Sequence, residues 1–175
     1  VGACTLDDID DETIRNFMDL IRGSAAGSGI PDIKDKESIL RRLGLITPDG
    51  NIIHAACILF GKNPQSCFRN AGLKITRIND ETVLINPKEL TGNLFQLLDR
   101  ADEYLLTSQT VVYDPSGNAL IDSFRRKEIT EYPKAALREA LLNMLIHRDY
   151  FNNRTPSIIR MYDDHIQFLN PACFP

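Results

Sequence analysis

Apolar residues recur at helical spacing near the start of the chain and predict two helices. The first begins at Asp10 or Asp11, whose carboxylates can cap it, and ends at the glycine-rich stretch 23–29. Its apolar residues share one face: Ile14, Phe17, Met18 and Ile21. A second, shorter helix stops at Gly44. Three of its residues are expected to point inward: Ile39, Leu40 and Leu43.

The pattern then changes to one typical of strands. Turn-forming residues at 48–50 separate two apolar arms, so residues 45–53 are interpreted as a hairpin. The second arm continues into the almost wholly apolar run 52–61, which predicts a central strand containing His54. Residues 71–78 alternate between apolar and polar, as in a strand with one solvated face.

The strongest amphipathic signal predicts a long helix that opens at Asn86-Pro87. Apolar residues recur along it at three- and four-residue spacing: Leu90, Leu94, Leu97, Leu98, Ala101 and Leu105. Such a stripe usually packs into a core, and self-association through Leu94, Leu98 and Leu105 is the alternative, giving a homo-oligomer.

Two further hairpins and a helix complete the prediction. The first hairpin turns at 114–117, a helix follows Pro133 and runs to about Asp149, and the second hairpin turns at Asp163-Asp164 and contains His165. The fold class is therefore α+β, with mixed helices and short β-sheets.

The helix after Pro133 carries the candidate chemistry. Glu139, Asn143 and His147 are four residues apart and fall in one stripe. Leucine and methionine cover most of the remaining circumference, so we expect burial on several sides and a polar stripe that lines a concave surface. The alternative is a set of buried polar groups that hydrogen-bond to neighbouring backbone.

Charge and cysteine content restrict the function classes. The chain has 175 residues, of which 20 are basic and 24 acidic, and its net charge of −4 has the wrong sign for holding nucleic acid by its own surface. The basic cluster 125–127 is the one local exception. The cysteines have no metal-clip spacing, which indicates buried free thiols: Cys4, Cys57, Cys67 and Cys173.

No apolar run approaches the roughly 18 residues of a membrane span, and the first residues lack the features of a signal peptide. A cytoplasmic protein with no membrane partner is expected. The chain has no initiator methionine and stops directly after a strand-like run, so we expect a piece of a longer protein.

Several segments resemble one family, the RecG-like, helicase-related transcriptional regulators. The resemblance is carried by REALLNMLIHRDY at 138–150, IIRMYDDHIQFLNP at 158–171, and the regions 43–65 and 92–101. Members typically have a Schlafen or AlbA-like domain upstream and a DNA-binding winged helix downstream. The resemblance therefore implies DNA as a partner, contacted through domains outside this chain.

The resemblance also divides the chain into a central α+β region, 1–130, and a truncated nucleotide-binding segment, 131–175. The latter resembles the start of the GHKL, or Bergerat-type, α/β sandwich of gyrase and the histidine kinases. It implies that Glu139 activates water, that Asn143 holds magnesium beside ATP, and that Asn170 is near the adenine-recognising position. His147, in the same stripe, is the further nucleotide-binding candidate. Ala172 departs from the family, which has a glycine there.

The function implied is a regulator module with an incomplete ATP-binding half, for which ATP and magnesium are expected only in the longer protein. The alternatives are a genuine GHKL-type ATPase and a non-catalytic self-association module.

His147-Arg148-Asp149 is not a kinase catalytic loop, because position 154 is arginine and not asparagine. Gly61-Lys62 lacks the other P-loop residues and is interpreted as a strand-end turn. Arg148 is expected to pin the helix end through a nearby carboxylate.

Overall fold

The computed structural model describes residues 4–24, 35–79, 83–108, 111–112, 129–130, 132–152 and 154–171. Five α-helices and six strands lie in these ranges. The helices are α1 (Asp11–Arg22), α2 (Lys36–Arg42), α3 (His54–Phe60), α4 (Leu94–Thr107) and α5 (Lys134–Ile146). The strands are β1 (Leu73–Asn79), β2 (Val83–Leu90), β3 (Val111–Val112), β4 (Ile129–Thr130), β5 (Ser157–Met161) and β6 (Ile166–Leu169). The predicted α+β class is confirmed.

Four strands form one mixed sheet in the order β2-β1-β5-β6. β1 pairs with β2 and β5 pairs with β6 in antiparallel fashion, whereas β1 and β5 are parallel. The predicted strand at 71–78 and the hairpin turning at Asp163-Asp164 are confirmed. Because β1 and β5 are adjacent, the segments 1–130 and 131–175 both contribute strands to this sheet.

Helices α4 and α5 pack together against the sheet and enclose the larger core. Its fully buried side chains come from β1, α4, α5 and β5: Leu73, Ile75, Leu97, Leu105, Leu141, Leu145 and Ile159. Leu94 and Leu98 pack against it from the side. The leucine stripe of α4 therefore packs largely within the chain, with Leu94 and Leu98 only partly buried.

A second core joins the three N-terminal helices. Ile14, Leu40 and Phe60 are among its buried members, and Phe17, Phe60 and Phe95 form a ring cluster with centroids 5.3–5.6 Å apart. Phe95 belongs to α4, so this cluster connects the N-terminal helices to the helix that covers the sheet.

The predicted central strand at 52–61 is wrong, because these residues form α3. A short apolar run fits a buried strand or a buried helix equally well. Here Ala56, Cys57 and Phe60 are buried, and this spacing describes one helical face. His54 is accordingly the first residue of a helix, and Gly61-Lys62 follows a helix and not a strand. Of the predicted hairpin at 45–53, the turn is present with a single bridge between Ile46 and Ile52.

His165 also lies outside the regular strands. It occupies the turn before β6, where its ring stacks on Tyr162 with centroids 4.3 Å apart. The position was predicted to be a strand residue, which is wrong.

The predicted start of the long helix is also wrong. Asn86 and Pro87 lie in β2, at the edge of the sheet, where the register against β1 shifts between Ile75 and Arg77. Proline is tolerated in an edge strand with a bulge because its missing N–H breaks no central ladder. Helix α4 begins at Leu94 instead, with Asn93 and Gln96 forming a reciprocal capping box.

Other boundaries differ more modestly from the prediction. Leu43 follows the last residue of α2 and is 40% exposed, so it does not point inward as expected. Helix α5 ends at Ile146, three residues before the predicted end. β3 pairs with β4, whereas the predicted turn at 114–117 and the basic cluster 125–127 lie outside the described residues.

Cys4, Cys57 and Cys67 are free thiols, and Cys57 is buried, as predicted; Cys173 lies outside the described residues. Burial raises the pKa of the Cys57 thiol, and that of Cys4 in the same way, so both stay protonated. Among the described residues, none of the helices combines the length and apolar character needed to cross a membrane.

Asn93 connects the N-terminal helices to α4. It is fully buried, and its Oδ1 accepts a hydrogen bond from Gln96 N at 3.1 Å. Its Nδ2 donates to Thr13 Oγ1 at 3.0 Å and to Gly61 O at 3.3 Å. One amide thus caps α4 and also holds α1 and the end of α3.

We predict that Asn93→Ala lowers the free energy of unfolding by about 2–4 kcal/mol. About 1 kcal/mol comes from the lost helix cap, and the remainder from the buried groups left without a partner. Urea denaturation measures the change. Asn16→Ala, which removes an exposed asparagine of α1, is the control and should change stability by less than about 0.5 kcal/mol. Equal effects of the two substitutions would show that Asn93 does not connect these elements.

Candidate functional site

The predicted polar stripe lies on the outer face of α5. The inner face is buried against the sheet and α4 through Leu137, Leu141, Met144 and Leu145. Glu139, Asn143 and His147 are all exposed. Within the stripe, Asn143 Nδ2 donates a hydrogen bond to Glu139 Oε1 at 3.1 Å. The alternative of polar groups buried in the core is therefore wrong.

Helix α5 is buried on one side only, contrary to the expectation of burial on several sides. Ala136 is exposed, and Ile146 is 59% exposed although it is apolar. The predicted concave surface also remains without direct support. One cleft of about 460 Å³ lies between α1 and α4, and another of about 410 Å³ lies between β2 and α4, and neither is lined by Glu139 or Asn143.

The Glu139–Asn143 pair has the chemistry of a partial magnesium site. The hydrogen bond uses the Asn143 amide nitrogen. The amide oxygen accepts no side-chain or backbone hydrogen bond in the described part of the chain. An amide oxygen suits Mg²⁺, which commonly takes only one or two protein ligands and completes its shell with water and phosphate oxygens. The described ranges hold no group of three or more acidic, histidine or cysteine side chains arranged around one metal position.

Asn170 serves the end of α5. Its Nδ2 donates to the carbonyls of Met144 at 2.6 Å and His147 at 3.2 Å, and its Oδ1 accepts from Ser157 Oγ at 2.7 Å. These bonds satisfy carbonyls that a helix end leaves unpaired and fasten α5 to β5. The structure thus brings Asn170 and the backbone of His147 together, and both polar atoms of the Asn170 side chain are hydrogen-bonded within the fold. Ala172 lies outside the described residues.

Arg148 was expected to pin the helix end through a carboxylate, and this is wrong. Its Nη1 donates to the carbonyl of Gly72 at 2.8 Å, and its guanidinium lies 5.1 Å from the centroid of the Tyr150 ring. Asp149, the adjacent acid, instead accepts a hydrogen bond from Phe151 N at 3.0 Å. Arg148 is 7% exposed, and burial lowers its pKa.

An aromatic group beside Arg148 was missed in the sequence. His54, Phe68 and Phe151 contact each other in edge-to-face geometry, with centroids 5.4–5.9 Å apart. Phe68 is buried, whereas His54 is exposed and Phe151 is 66% exposed. No local pattern indicates this group, because its members are far apart in the chain and His54 was placed in a strand.

Comparison with known proteins supports the fold and nothing finer. No protein-family model and no curated protein matches the chain. A solved structure, that of the DIP2311 protein from Corynebacterium diphtheriae, is similar to all of this chain with a TM-score of 0.65 and 21% identity. The chain spans 27% of the length of that protein. At this identity the similarity establishes a shared fold.

The buried Tyr150 gives a prediction about alkaline pH. Its hydroxyl donates to Leu145 O at 2.7 Å, and burial raises its pKa from 10.0 to about 12, with Arg148 opposing the shift. A pKa raised in the folded state gives stability that is fully present below the unfolded pKa and is lost as pH rises through the folded one. We expect the free energy of unfolding to fall by roughly 2–3 kcal/mol between about pH 10 and pH 12 from this group.

Urea denaturation across that range measures the fall. Tyr150→Phe should be less stable at neutral pH, because it loses a hydrogen bond, but it should have a shallower alkaline slope. Tyr162→Phe is the control and should keep the slope of the original protein. A Tyr150→Phe slope that matches the control would contradict the assignment.

Proposed function

We propose that this chain carries one half of a nucleotide site, in which the outer face of α5 meets the magnesium-bound triphosphate of ATP within a longer regulatory protein. The observation that carries the proposal is the exposed, hydrogen-bonded Glu139–Asn143 pair on a helix whose other face is packed on the sheet. The resemblance of residues 138–150 and 158–171 to the helicase-related regulators gives the same assignment.

Each residue of the pair has a distinct role in this proposal. The Asn143 amide oxygen is a ligand for magnesium, and the Glu139 carboxylate accepts a proton from the water that attacks the terminal phosphate. Magnesium, when bound, neutralises the charge of the triphosphate. Both groups face the same side of the helix because they are four residues apart, and the hydrogen bond from Asn143 orients the carboxylate. His147 stands one turn further along and is placed to contact the nucleotide.

Asn170 has a supporting part. Because its amide holds the last carbonyls of α5, it fixes the position of the helix end beside the proposed adenine position. In the longer protein, which we place in the cytoplasm, nucleotide binding at α5 is coupled to DNA binding by a neighbouring domain.

The test is calorimetry with ATP and magnesium on the full-length protein and its variants. Asn143→Ala should weaken binding about tenfold or more, because it removes a magnesium ligand. Glu139→Ala should preserve the affinity and abolish any turnover. Asn16→Ala, an exposed asparagine on α1, is the control and should bind like the original protein. Equal affinity of all variants, or no binding by the full-length protein, would refute the site.

A turnover assay separates the regulator from a genuine ATPase. The 175 residues alone should show at most weak ATP binding and no hydrolysis, since one carboxylate and one amide do not enclose a triphosphate. Hydrolysis by these residues would establish the enzyme alternative.

The DNA assignment has its own test. With a net charge of −4 and basic residues interspersed with acidic ones, this chain should bind duplex DNA only weakly at physiological salt. Fluorescence anisotropy with a labelled duplex measures the affinity. Submicromolar binding by the 175 residues would place the DNA contact within this chain and overturn the proposal that other domains supply it.

A further inference from the structure

The guanidinium of Arg148 is buried without an acidic partner, which is an uncommon situation for an arginine. The side chain is 7% exposed and forms no ion pair within the described residues. Within the described residues its single hydrogen bond, from Nη1 to Gly72 O, uses one side of the group, and Nε has no acceptor. Desolvating a charge without a counter-charge costs several kcal/mol, so an unpaired buried guanidinium is strongly favourable for an anion.

The Nε–Nη2 edge of this guanidinium forms no hydrogen bond within the described residues. Nε and Nη2 form the edge of an arginine that holds carboxylate or phosphate oxygens in a pair of parallel hydrogen bonds. Nη2 also has no acceptor in the described part of the chain. The bond to Gly72 and the Tyr150 ring hold the group in a fixed orientation.

A second unpaired donor lies in the adjacent turn. Asn70 Nδ2 is buried without an acceptor, and Asn70 is two residues before Gly72, whose carbonyl holds Arg148. Asn70 thus belongs to the same short segment as the carbonyl that Arg148 binds. Both unsatisfied groups are donors, and both therefore lack the same partner, an acceptor oxygen.

The surrounding charge favours an anion as well. Segments 67–72 and 147–154 meet through Phe68 and Phe151, whose ring centroids are 5.9 Å apart. They contain three arginines, Arg69, Arg148 and Arg154, and one aspartate, in a chain whose net charge is −4. Arg69 and Arg154 are exposed, and Asp149 is engaged with the amide of Phe151.

We propose that Arg148, together with the turn containing Asn70, is a binding site for an oxyanion, either a carboxylate or a phosphoryl group. The oxyanion accepts from the Nε–Nη2 edge of Arg148, and the exposed Arg69 and Arg154 attract it to the site. This site is separate from the Glu139–Asn143 pair and does not depend on the proposed nucleotide function.

The direct test is NMR of the Arg148 Nε–H resonance in the unmodified protein, titrated separately with inorganic phosphate and with acetate at constant ionic strength set by chloride. We expect a saturable shift with a half-saturation on the order of millimolar. A response to phosphate alone identifies a phosphoryl ligand, and a response to acetate alone identifies a carboxylate. A resonance that neither anion moves beyond the chloride reference would overturn the proposal.

A variant provides the second readout. Arg148→Lys keeps the charge but loses the paired donors, so phosphate or acetate should no longer raise its thermal stability as in the original protein. Arg41→Lys, which changes an exposed arginine already paired with Glu37, is the matched control and should keep the full response. Asn143→Ala should also keep it, which distinguishes this site from the nucleotide site. An undiminished response in a folded Arg148→Lys protein would contradict the assignment.

Discussion

The packing of α5 against α4 and the four-stranded sheet is the constraint on which the rest of the structure depends. Four buried residues of the helix, Leu137, Leu141, Met144 and Leu145, fix its rotation about its own axis. Positions two apart on a helix lie on roughly opposite sides, and positions four apart share a face. Once Leu137 and Leu141 point to the core, residues 139 and 143 therefore point away from it together. The orientation of the candidate site is thus a consequence of core packing.

Polar contacts at the C-terminal end of α5 complete this arrangement. Asn170, which follows β6, holds two of its last carbonyls, and Arg148 connects the loop after it to the start of β1. A buried guanidinium and a buried amide are costly unless satisfied, so these contacts specify where the chain leaves the helix. Within the described residues one edge of Arg148 has no hydrogen-bond partner, and the proposed oxyanion site is based on this edge.

The sequence predicted what local periodicity and turn chemistry determine. Helix α1, strand β1, helix α5 and the hairpin at Asp163-Asp164 follow from repeats of 3.6 or two residues and from turn residues. It failed where the decisive information is tertiary. Residues 52–61 fit a strand or a helix, and packing against α1 and α4 decides between them. Pro87 was assigned to a helix because the edge bulge that accommodates it depends on pairing with β1.

The candidate site shows the same division. The stripe of Glu139, Asn143 and His147 could be read from spacing, and so could its presence on one helical face. The exposure of this stripe could not be predicted, because it depends on what covers α5. The hydrogen bonds from Asn170 to the last carbonyls of α5 could not be predicted either. The isolation of Arg148 was invisible for a similar reason, since an arginine next to an aspartate in the sequence suggests an ion pair that the backbone geometry does not form.

Hydrogen–deuterium exchange of the full-length protein, with and without ATP and magnesium, tests the central claim most directly. The account predicts that the nucleotide slows exchange of backbone amides in α5, most strongly between residues 139 and 147, while α2, which lies in the N-terminal core, is unaffected. Unchanged exchange in α5 at saturating nucleotide, or protection confined to the cleft between α1 and α4, would contradict it.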